Sequence, residues 1–182
     1  MRNGRALAEE RSRVTDPQRY GALQDAAETL LDEMTRTYVV ERREAKESLT
    51  AGLDGPLVRT VWLVPHSLAA APLSMVFTDF PSVILRLGRW YQQSLPSCGC
   101  DACDEDPAEL ITTLRARAAA LIEGGLWERV CRGLTGSWSE TRLIGPDFRV
   151  AQQAPLEAAA ARAARREGFA AAVQWAPWPR RA

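Results

Sequence analysis

Histidine and lysine are almost missing from this chain: of 182 residues only His66 is a histidine and only Lys46 is a lysine. A Ser-His or Cys-His nucleophile pair could use no base but His66, which follows Val64 and Pro65 at an expected strand end, and nothing in the sequence brings a nucleophile to it. Net charge is missing too. The 23 basic residues balance 23 acidic ones, so no nucleic-acid footprint is indicated. No apolar run approaches the roughly 18 residues of a membrane span, and "MRNGRALAEERSR" lacks the apolar stretch of about 7–15 residues that a secretory signal needs. The expectation is a cytoplasmic protein off the membrane. In that compartment thiols stay reduced, so clustered cysteines point to metal or redox chemistry before a structural disulfide.

What remains is ordinary in bulk. With 46% apolar and 25% charged residues, a chain of this length supports one domain with its own core. The polar start, residues 1–15, is expected to be a flexible arm, and residues 16–182 a single domain. Asp16 and Pro17 are a cap and first residue for a helix over 17–35, in which Tyr20, Leu23, Ala27, Leu30, Leu31 and Met34 recur at helical spacing. "TRTYVVERREAKE" fits an exposed edge strand before a loop with Asp54, Gly55 and Pro56, although helix continuation is a rival reading. Short apolar runs bounded by prolines predict strands at 57–64, 73–80 and 82–91. In the last of these, Val83, Leu85 and Leu87 face one way, and Ile84, Arg86, Gly88 and Trp90 the other.

Asp106 and Pro107 open a helix with Leu110, Ile111, Leu114, Ala118, Leu121 and Ile122 as its stripe, stopped at Gly124-Gly125. "LWERVCRGLTGSWSETRLI" predicts a hairpin turning near Thr135-Gly136. Pro155 should start an alanine-rich helix ending at Gly168, and the prolines of "WAPWPRR" bar a helical tail. Strands in sequential runs, not alternating regularly with helices, predict an α+β fold: an antiparallel sheet with helices packed on one face.

The chemistry-bearing stretch is "LPSCGCDACDED". Cys98, Cys100 and Cys103 form C-x-C-x-x-C, and Gly99 allows a turn tight enough for three sulfurs to converge at about 2.3 Å from a tetrahedral Zn²⁺. A structural zinc site takes four protein ligands. Cys131, His66, Asp101 and Asp104 are the available fourth ligands, with Cys131 first because sulfur is the commonest partner. A redox or disulfide role and inert surface thiols are the other readings, and iron–sulfur ligation would normally need four thiolates. The acids Asp101, Asp104, Glu105 and Asp106 also suit an exposed turn at a helix N-terminus.

Arg86, Arg89 and Trp90 lie on the strand before the cysteines, and an arginine beside an indole suits an anion or aromatic ligand. The same pair also suits a sheet face half covered by a helix. Among six tryptophans, Trp175 and Trp178 between prolines could form a docking segment or pack back on the sheet.

The run "FTDFPSVILRLGRWYQQSLPSCGCDACDED", with "WAPWPRR" at the end, resembles a family of uncharacterised proteins from actinobacteria. The likeness rests on Phe80, Pro81, Gly88, Arg89, Trp90 and residues 98–105, and covers nearly the whole chain. Members often carry histidine where this chain has Tyr91. The resemblance implies kinship and no activity. The functional expectation is therefore a non-enzymatic module that binds a protein or ligand and has a structural, zinc-holding cysteine loop. The alternative is a metal-dependent enzyme or small-molecule binder using Arg86, Arg89 and Trp90 beside the cysteine site.

Overall fold

The computed structural model describes residues 13–48 and 56–182. The chain enters through a 3₁₀ turn, Pro17–Tyr20, which runs into helix α1, Gly21–Thr37. Asp16 makes no capping bond there. The stripe expected of this helix is its buried face: Leu23, Ala27, Leu30, Leu31 and Met34. Five strands follow as an antiparallel meander: β1 Val40–Ser48, β2 Leu57–Pro65, β3 Leu73–Phe77, β4 Val83–Leu87 and β5 Tyr91–Leu95. Helix α2, Pro107–Ile122, starts at the expected cap, where the Asp106 carboxylate accepts from the Ala108 N–H at 3.0 Å.

The remaining strands build a second antiparallel sheet in the order β8-β7-β6-β9, from β6 Leu126–Arg132, β7 Ser137–Ile144, β8 Arg149–Leu156 and β9 Val173–Gln174. Helix α3, Ala158–Ala164, and a wide turn, Arg165–Phe169, bridge β8 to β9. The fold is α+β, with its strands divided between two antiparallel sheets.

Register explains the core. Val61, Leu63, Leu73, Met75, Val83, Leu85, Leu87, Tyr91 and Leu95 share one face of the first sheet, and all are buried. They cluster with the apolar faces of α1 and α2 and with Leu126, Leu143 and Trp178. Towards β1 that face turns charged, and α1 answers it: Arg42 and Arg59 both pair with Glu28. A smaller cluster joins Val130 to Ala161, Ala164 and Phe169.

Two expectations need correction. The strand expected over 82–91 is a hairpin, with Gly88, Arg89 and Trp90 as its turn. A three-residue turn moves the chain from Leu87 to Tyr91, four positions, so in-out alternation keeps its parity and cannot reveal the reversal. Gly88 makes the turn possible, with φ at +61° and no room for a Cβ, which would stand 2.6 Å from the Glu128 carboxylate. The second correction is β8, which takes in Pro155, the expected first residue of a helix. Facing Trp138 on an edge strand, Pro155 leaves the ladder intact on its inner side.

Most of the expected N-terminal arm and the Asp54-Gly55 loop lie outside the described residues. Residues 13–15 are tied down: the Asp101 N–H donates to the Arg13 carbonyl, and the Asp101 carboxylate accepts from the Thr15 N–H, each at 2.9 Å.

Candidate metal centre

The cysteine loop joins β5 to α2, so one sheet edge and one helix N-terminus fix its two ends. Glu105 reaches back across it and accepts from the Ser97 N–H at 3.1 Å and the Cys98 N–H at 2.9 Å. The Cys103 N–H donates to the Cys100 carbonyl, closing a tight turn. Gly99 lies against the Phe80 ring, where a Cβ would come within 2.3 Å of a ring carbon. These bonds turn the three side chains to a common point.

Sγ of Cys100 stands 3.0 Å from that of Cys98 and 3.5 Å from that of Cys103, and all three sulfurs lie within 4.8 Å of one another. Three sulfurs around one tetrahedral zinc stand about 3.8 Å apart, given bonds of about 2.3 Å. Cys100 is buried, Cys98 half-buried and Cys103 exposed, so the cluster opens to solvent on one side. Its hydrogen bonds with Cys98 and Cys103 make the Cys100 thiol more acidic than usual. The bond to Cys100, and then that to Cys98, pushes the Cys103 thiol up to about 12. A cation bound among three thiolates would offset their mutual repulsion. This cluster could hold a metal ion.

Among the described residues no fourth protein donor joins the three sulfurs. Cys131 projects from β6 in the other sheet, opposite Trp138, where it interacts with Arg129 and Glu140. His66 sits beyond β2, its N–H bonded to the Val39 carbonyl, with β3 and β4 between it and β5. The nearby acids have other partners: Asp101 holds Thr15, Asp104 pairs with Arg19 at 2.6 Å, Glu105 holds the loop, and Asp106 caps α2.

Arg86 and Trp90 share a groove of about 470 Å³ on the outer face of the first sheet, together with Trp62, Ser74 and Glu47. The Arg86 Nε–H donates to the Gln92 side chain at 3.0 Å, and a terminal nitrogen of Arg86 lies 3.8 Å from the Glu47 carboxylate. Arg89 pairs with Glu167 and lies over the rings of Trp90 and Phe169. The groove is at one end of β5 and the sulfurs are at the other, so the strand's five residues, roughly 16 Å of extended chain, separate them.

Sequence reading missed Glu128. It is fully buried on β6 and accepts from the Arg89 N–H at 3.1 Å, the Trp90 N–H at 2.9 Å and the Trp175 indole N–H at 2.8 Å. Burial, only partly offset by these donors, raises its carboxyl above the usual range. Through this one side chain the Gly88-Arg89-Trp90 turn and the tryptophan tail are fastened to the second sheet. The signal was present, since Leu126, Glu128 and Val130 alternate on one side of the expected hairpin strand, placing an acid at a core position. Trp178 closes the tail, buried, with its indole N–H on the Ala71 carbonyl at 2.9 Å.

Fold and site together define an α+β chain with a three-thiol cluster at a sheet-to-helix corner. The chain belongs to a family of unknown function, DUF6226, whose model matches residues 2–182. No curated protein and no solved structure matches it. No helix among the described residues is long and apolar enough to cross a membrane.

Proposed function

We propose that this chain is a non-catalytic, protein-binding module of the reducing cytoplasm, in which Cys98, Cys100 and Cys103 hold a structural zinc ion. The observation that carries this reading is the separation of the three sulfurs from the groove of Trp62, Arg86 and Trp90 along β5. Metal at one end of the strand braces the corner into α2, and recognition takes place at the other. Zinc links the three thiolates into one rigid turn and removes their mutual repulsion. Three protein donors converge among the described residues, so the fourth ligand of the zinc would come from the side of the cluster that Cys103 leaves open. The groove offers two half-buried indoles and an arginine, residue types that carry much of the energy at protein interfaces. An acidic side chain of the partner meets Arg86 in competition with Glu47.

The test separates the two halves. Protein purified reduced, without added zinc or chelator, should carry one zinc per chain, and Cys100→Ser should abolish it. Trp62→Ala combined with Arg86→Ala should keep the zinc and the melting temperature, yet lose a partner that the unaltered chain and Arg149→Ala both retain in cross-linking. Far less than one metal per chain, with three freely reacting thiols, would refute the zinc. An unchanged set of cross-linked partners would refute the groove.

A further inference from the structure

Several surface arginines are ion-paired: Arg42 and Arg59 with Glu28, Arg89 with Glu167, Arg115 with Glu33, Arg129 with Glu140. Arg132, Arg162 and Arg165 are among those that are not, and they come together at one place. They line one groove of about 530 Å³ between the tip of the β6–β7 hairpin and α3, and no carboxylate shares its lining. Among the described residues none of the three makes an ion pair or a side-chain hydrogen bond. Arg162 and Arg165, three apart, project from one side of the helix, and Arg132 ends β6 opposite them. Between them lie Leu156 and Ala161, an apolar floor, with the Thr135 and Ser137 hydroxyls on the hairpin side.

We infer that this groove binds a small organic phosphate. Three arginines lining one groove without a carboxylate among its other lining residues create a local positive field in a molecule of zero net charge. Their planar donor forks match phosphate oxygens two at a time. The volume is that of a small-molecule site, about 300–1,000 Å³, and exceeds what a bare phosphate fills. The organic body of the ligand therefore lies on Leu156 and Ala161, while its phosphate meets the arginines. Neither the zinc corner nor the Trp62 groove takes part, so this site stands or falls independently of them.

Titration calorimetry of the full chain with phenyl phosphate tests the inference, with benzyl alcohol and inorganic phosphate as partial probes. Phenyl phosphate should bind more tightly than either, and more weakly as salt rises from 0.05 to 0.5 M, as expected of charge pairing. Arg162→Gln combined with Arg165→Gln should weaken it at least tenfold, and Arg132→Gln alone several-fold. Arg149→Gln, at the far end of β8, should leave it unchanged. All these positions are exposed, and circular dichroism will establish that each variant is folded. Equal affinity for phenyl phosphate and benzyl alcohol, or unchanged affinity in the double variant, would overturn the site. Binding of a phosphoserine peptide without binding of phenyl phosphate would overturn its assignment to a small molecule.

Discussion

Replacing Glu128 by glutamine keeps the side chain's size and changes its hydrogen bonding in a calculable way. The amide oxygen can still accept from the Trp90 N–H, at 2.9 Å from the same position, and from the Arg89 N–H. The amide nitrogen then occupies the place of the oxygen that meets the Trp175 indole N–H at 2.8 Å, and two donors face each other. Losing a bond to a charged acceptor costs roughly 1.5–3 kcal/mol, and a buried donor left unpaired a further 1–3 kcal/mol or so. Removing a desolvated charge returns part of this. A net loss of about 3 kcal/mol is expected, which for a chain of this size lowers the melting temperature by about 6–12 °C. Trp175→Phe removes the opposing donor, so Glu128→Gln should cost about 1–2 kcal/mol less in that background, measured by a double-mutant denaturation cycle. Because burial raises the folded-state carboxyl above its unfolded value, its protonated form is favoured in the fold. Its stabilising contribution is complete below the unfolded value near pH 4.3 and is lost as pH climbs through the folded value. The advantage of the native chain over Glu128→Gln should therefore be largest in acid and shrink towards neutrality. Strict additivity with Trp175→Phe, or an advantage that grows with pH, would refute this account of the clamp.

Trp178→Ala should cost about 3–5 kcal/mol in urea denaturation, since the indole is buried and the Ala71 carbonyl loses its donor; an unchanged midpoint would mean that the tail does not seal the core. Gly88→Ala should destabilise by more than the roughly 1 kcal/mol of a left-handed residue alone, because its Cβ collides with Glu128 and Leu126, and a loss below that would show that the turn can relax. Asp106→Ala should remove about 1 kcal/mol by deleting the α2 cap, read as a small drop in melting temperature. A strong chelator should lower the melting temperature of the unaltered chain and leave Cys100→Ser unaffected, with far-ultraviolet circular dichroism retained in both, because the apolar core persists without the corner.

Local chemistry alone determined several parts of this protein. Asp106 beside Pro107 made the start of α2 legible, because a capping carboxylate and a preset φ act within one turn of chain. The stripes of α1 and α2 were legible because burial follows the 3.6-residue period wherever a helix has one apolar side. C-x-C-x-x-C announced a convergence of sulfurs, since two short spacings around a glycine leave the thiols little else to approach. Only the tertiary structure decided matters that depend on distant pairing. The reversal at Gly88–Trp90 conserved side-chain parity and so left no periodic trace. β8 is polar and carries Pro155, features that local pattern assigns to a loop or helix start; it is a strand because β7 offers it a full ladder. Cys131 and the three clustered cysteines are the same residue type, yet sheet register sends Cys131 to the outer face of the second sheet. Glu128 acquired its role from one turn and a tail that lie 38 to 47 residues away in sequence, a convergence that no window on the chain contains.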